Sequence, residues 1–118
     1  ANNWPLYGDV GRDTIAHGGY AIYAHGGYAQ AIYADVVQGN VNAVELLQFG
    51  VYRGIGLVDW YNILNCGYRF PCVGASDWPA CRKLGDCITY VLITLGEPGV
   101  FHAVSAGANG CAVGRILG

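Results

Sequence analysis

Charge is what this chain has least of. Asp, Glu, Lys and Arg make up 12% of its 118 residues, about half the share usual in soluble domains. Only six are Lys or Arg, no basic run is longer than Arg82-Lys83, and the net charge is −2. That leaves no electrostatic footprint for nucleic acid or for an anionic membrane, and both are excluded as partners. Long apolar runs are missing as well: none approaches the roughly eighteen residues of a membrane span. Ala1-Asn2-Asn3-Trp4-Pro5 has neither the basic start nor the apolar middle of a signal peptide. The expectation is a soluble chain, mature or cut from something longer. Serine is nearly absent, and Ser76 and Ser105 are the only two hydroxyl nucleophiles of that type. Cys66, Cys72, Cys81, Cys87 and Cys111 avoid the close spacing of a zinc knuckle. Their odd number leaves at least one thiol unpaired in a monomer, and the expectation is buried thiols acting as small hydrophobes.

What is present is apolar: 53% of the residues. A chain of this length fits one compact domain over 1–118, with segments buried on both sides or covered by a partner. Nine tyrosines among nineteen glycines suit a surface that stacks on ligands or pairs strand edges, so a homo-oligomer is expected.

A short duplication stands out. Ala16-His17-Gly18-Gly19-Tyr20-Ala21 recurs as Ala24-His25-Gly26-Gly27-Tyr28-Ala29, and Ala21-Ile22-Tyr23-Ala24 recurs as Ala31-Ile32-Tyr33-Ala34. Its period is far below that of stacked solenoid repeats. Tyr20 to Ala24 reads as a buried strand with His25 where it becomes a loop. Residues 29–37 are ambiguous between helix and strand. Val41 to Phe49 reads as a strand with Glu45 in its middle. Asp59 to Gly67 reads as an amphipathic helix, Asp59 favoured near its start and Gly67 placed for a left-handed cap. Tyr68 to Gly74 and Ile88 to Leu95 read as further strands, the latter closed by a turn at Gly96-Glu97-Pro98-Gly99. Residues 100–118 carry no clear pattern. Strands separated by a helix, with glycine at the junctions, describe an α/β fold: a partial barrel or a small mixed or parallel sheet with short helices.

In such sheets ligand-binding groups gather at the carboxyl ends of strands. His25 and Asp77, each closing an apolar stretch, are candidates to share a metal ion. Glu45, a carboxylate inside an apolar strand, needs a partner or a raised pKa. An ion pair with Arg53 or Arg69 competes there with a catalytic role. Trp60 and Tyr61 are expected in the core.

Residues 19–91 resemble the CehA/McbA-type metallohydrolases of the PHP (polymerase and histidinol phosphatase) superfamily. The resemblance rests on Tyr23-Ala24-His25, the 42–48 strand around Glu45, the 59–71 segment from Asp59-Trp60-Tyr61 to Pro71, Gly74-Ala75-Ser76-Asp77 and Arg82-Lys83-Leu84-Gly85. It implies a distorted barrel of strands and helices that binds one to three divalent ions, zinc or manganese, and hydrolyses an ester, amide or phosphoester bond in a small-molecule substrate. The family's ligands carry over to His25 and Asp77. Its His-x-His motif is absent, and where its Ser-Asp-x-His pattern calls for a histidine this chain reads Trp78-Pro79. Completion of the site then falls to His17, Cys81 or a second subunit. Two other readings stand beside this one. Ser76, with a histidine as base, is a metal-free esterase or lactonase nucleophile, although the closing glycine of a nucleophile elbow is missing. The tyrosine- and glycine-rich composition also suits a non-catalytic binding or assembly domain.

Overall fold

The computed structural model describes residues 5–26, 31–47, 56–76, 87–91 and 109–113. They form a mixed α/β fold in the order α1 (Tyr7–Ala16), β1 (Ile22–Tyr23), α2 (Ile32–Gln38), β2 (Ala43–Leu47), α3 (Leu57–Asn65), β3 (Cys72–Gly74), β4 (Cys87–Val91) and β5 (Asn109–Val113). Strands β1, β2 and β3 make a parallel sheet in that spatial order, open rather than closed into a barrel, and β4 pairs with β5 in an antiparallel ribbon.

β2 explains the layering. Ala43-Val44-Glu45-Leu46 is buried throughout, as the central strand of a parallel sheet requires. Side chains alternate along it, so Val44 and Leu46 face one way and Ala43 and Glu45 the other. The first face is the main core: Val44 and Leu46 pack with Tyr23 of β1, Ile32 of α2, Ile63 of α3 and Phe70. Both crossover helices therefore cover the same side. Ala43 packs with Val73 and Tyr20 on the other. The β1 and β2 ladder extends through Asn42, whose amide donates to the Ala21 carbonyl at 2.8 Å while its Oδ1 accepts from the Ala21 amide at 2.7 Å.

α3 follows its expected limits closely. Asp59 lies in its first turn, and Gly67, at φ +88°, donates to the Leu64 carbonyl where the helix ends. Trp60 is half-buried, its indole Nε1 donating to the Phe70 carbonyl at 2.7 Å. Tyr61, expected in the core, is instead 52% exposed on the outer face of the helix. β4 begins at Cys87, one residue before the expected strand. Part of the tail without a clear pattern is its partner β5. Thr89 ties this ribbon to β3: its Oγ1 accepts from the Gly74 amide at 2.9 Å and donates to the Gly74 carbonyl at 3.0 Å. Of the cysteines, Cys87 is buried as expected, Cys72 is half-buried and Cys66 is an exposed free thiol.

The duplicated tetrapeptide takes two conformations. Ala21-Ile22-Tyr23-Ala24 holds strand β1, with Tyr23 buried and Ile22 exposed. Ala31-Ile32-Tyr33-Ala34 opens helix α2, with Ile32 buried and Tyr33 exposed. Identical residues with balanced propensities are decided by what they pack against.

α1 is set by contact rather than by propensity. Gly11 is buried, and a Cβ built there would fall 2.1 Å from the Asn40 carbonyl oxygen. Alanine gains about 1 kcal/mol in helix propensity over glycine, whereas forcing an atom against fixed backbone costs about 1–3 kcal/mol or more. Gly11→Ala is expected to lower the unfolding free energy by up to about 2 kcal/mol net in urea titration. A gain in stability would show that α1 does not need this close approach.

Candidate functional site

Parallel pairing brings the carboxyl ends of β1, β2 and β3 to one edge. His25 lies two residues past β1, Glu45 inside β2 and Ser76 two residues past β3. His25 has φ +50°, the left-handed region that a non-glycine residue enters at a cost of about 1–2 kcal/mol. Its backbone amide donates to Glu45 Oε2 at 2.9 Å, and its ring Nδ1 stands 3.8 Å from the same oxygen. The Glu45 side chain is 8% exposed and that of His25 44%. A hydrogen bond to a buried charge contributes about 1.5–3 kcal/mol, enough to offset the strained turn. Glu45 thus gains the donor that burial demands and fixes the His25 backbone at the solvent boundary.

The structure brings together His25 and Glu45, a pairing the sequence did not propose. Of the arginines considered for Glu45, Arg69 is exposed, and Arg53 lies outside the described residues. Asp77 and Cys81, named as possible metal ligands, also lie outside them, as does Ser105. Ser76 is half-buried at the same sheet edge, its Oγ donating to the Cys87 carbonyl at 3.4 Å. His17 is elsewhere along the chain's path: it caps the end of α1 on the connection entering β1, while His25 is on the one leaving it. Its Nδ1 donates to the Asp13 carbonyl at 2.8 Å and lies 3.5 Å from Asp13 Oδ1, with both side chains 78% exposed.

Among the described residues no three His, Cys, Asp or Glu side chains are grouped to hold a metal ion. A catalytic zinc commonly has three protein ligands, so one imidazole and one carboxylate do not fit it. What they do fit is proton transfer: an exposed imidazole backed by a buried carboxylate.

One buried acid escaped the sequence reading. Asp35 of α2 is 6% exposed, and its place three residues after Ile32 puts it on the inward stripe once that segment is known to be helical. The phenol of Tyr23 is beside it. Burial first, then the Asp35 charge and a hydrogen bond to that carboxyl, then Tyr7, push the Tyr23 pKa up to about 12.

No helix among the described residues is long and apolar enough to cross a membrane. No protein-family model, no curated protein and no solved structure matches the chain.

Proposed function

We propose that this chain is a hydrolase of a small ester, amide or phosphoester substrate, with His25 as its acid–base group and Glu45 as the residue that positions it. The observation that carries this reading is the left-handed His25 backbone tied by its amide to a buried carboxylate. Strain held in place by buried structure at a sheet edge is characteristic of functional sites. In the reaction, the imidazole takes the proton of the attacking hydroxyl as its oxygen bonds to the substrate carbonyl or phosphoryl centre. It then returns that proton to the leaving group as the scissile bond breaks. Both transfers repeat with water, which attacks the ester formed on the nucleophile and frees its hydroxyl, and Glu45 stabilises the imidazolium each time. The separation of 3.8 Å between Nδ1 and Oε2 is longer than a hydrogen bond, and such contacts commonly tighten when substrate binds.

Ser76 shares this edge of the sheet, which favours a serine nucleophile over the metal-bound water that the PHP resemblance implies. In the metal-dependent form, His25 and Asp77 would need a third ligand, and a bound ion would supply a water of near-neutral pKa.

Turnover of nitrophenyl acetate and nitrophenyl phosphate, with and without chelation, tests the proposal. The expected result is ester hydrolysis that survives chelation and is lost in Ser76→Ala. Loss on chelation, with a stoichiometric ion in the purified protein, would replace it with the metal-dependent form. No turnover of either substrate, together with a concentration-dependent size, would leave the assembly domain instead.

A further inference from the structure

A cleft of about 520 Å³ lies between α1 and α2, on the side of the sheet opposite to Glu45. Asp35 is the buried acid of its described lining. Asn40 Nδ2 approaches Asp35 Oδ1 at 3.4 Å, whereas Oδ2 is buried without a partner of hydrogen-bonding geometry among the described residues. A smaller cavity of about 210 Å³ shares Tyr7, Tyr23, Asp35 and Asn40 with the first, so Asp35 lines both. The Tyr23 phenol beside it bonds to this carboxyl, yet Oδ2 remains an acceptor that the described residues leave unsatisfied, and a ligand that donates to this group would relieve that cost.

The cleft wall says what that donor carries. Among the described residues its ionisable side chains of fixed sign are Asp9, Arg12 and Asp35. Arg12 is already bonded to Asp9 at 2.6 Å, so the Asp35 charge is left without a cation from this wall. Around it the surface is mostly apolar: Leu6, alanines 24, 31 and 34, and the rings of Tyr7 and Tyr23, which stack with centroids 5.0 Å apart. Tyrosine faces also attract a cation. The cleft is within the size range of small-molecule sites.

We propose that this cleft binds a small organic ammonium ion, its charged nitrogen pairing with the Asp35 carboxylate and its apolar or aromatic body lying against Tyr7, Tyr23 and the three alanines. The site uses neither His25, Glu45 nor Ser76, so it stands or falls separately from the hydrolytic reading. Water and an inorganic cation are the competing partners for that carboxylate.

Calorimetric titration of the whole chain with benzylamine, protonated at neutral pH, and with its neutral counterpart benzyl alcohol separates these. The expected result is an affinity for benzylammonium about tenfold or more above that for the alcohol, with amide shifts confined to the cleft. Asp35→Asn removes the preference and leaves alcohol binding unchanged. Because that variant alters a buried residue, Ala34→Trp at an exposed cleft position provides a second reading: it weakens both ligands about tenfold with circular dichroism unchanged. Equal affinity for the two probes, a preference that survives in Asp35→Asn, or no binding at about 10 mM probe would each overturn the proposal. Suppression of benzylammonium binding by sodium or potassium chloride that choline chloride at equal ionic strength does not reproduce would assign the site to an inorganic cation and overturn it too.

Discussion

Replacing His25 by alanine is expected to lower kcat/KM on a nitrophenyl ester about 10²–10⁴-fold, the range a positioned acid–base group contributes. Alanine enters the left-handed region no more easily than histidine, and the Glu45 carboxylate keeps the backbone amide as its donor. The unfolding free energy should therefore change little, and the lost rate reports the imidazole alone. Glu45→Gln tests the other half of the pair. The amide oxygen of glutamine still accepts from the His25 backbone, so the turn persists, but the charge that stabilises the imidazolium is gone. Loss of about 10–100-fold in kcat at unchanged KM is expected, by analogy with the loss of a carboxylate that orients a metal-bound imidazole. A purely structural Glu45 would give wild-type kcat in that variant, and only Glu45→Ala, which leaves the amide without its acceptor, would do harm, by about 1–3 kcal/mol of stability.

The fold was more legible than the site, for reasons that lie in particular residues. β2 and α3 announce themselves because a mostly apolar run bounded by glycine and a capped amphipathic segment each have one good conformation. α1 does not. Tyr7–Ala16 contains two glycines that propensity counts against a helix, and only the Asn40 carbonyl lying against Gly11 shows why one is needed. The duplicated Ala-Ile-Tyr-Ala marks a hard limit, since no local rule can make one tetrapeptide a strand and its copy a helix. The resolution comes from Val44, Leu46 and Ile63, which lie outside both copies. The site fails in the same way. His25 is visible as a residue at a strand end, but its partner is twenty positions away on the neighbouring strand, and nothing in the spacing prefers Glu45 to Asp77. Asp35 was hidden by the ambiguity of its own segment, because a carboxylate's burial cannot be inferred before its helix is placed.

Leu46→Ala is expected to be the most damaging single change to stability, costing about 2–5 kcal/mol in chemical denaturation. Leu46 is 1% exposed on the packed face of the central strand. Its cluster contains Tyr23 from β1, Ile32 from α2, Ile63 from α3 and Phe70 before β3, so truncation opens a cavity where all the neighbouring elements meet. A collapse that filled the space would move a helix or an adjacent strand, which holds the cost toward the upper part of the range. Domains of this kind are stable by only about 5–15 kcal/mol in total, and the variant should sit near its unfolding midpoint in mild denaturant. Tyr61→Ala, on the exposed face of α3, is the control and should cost no more than about 0.5 kcal/mol. Ile63→Ala combined with Leu46→Ala should depart from the sum of the single changes by about 0.5–3 kcal/mol, because the two share one core. Strict additivity, or a Leu46→Ala cost no larger than that of Tyr61→Ala, would mean that the helices do not rest on this strand.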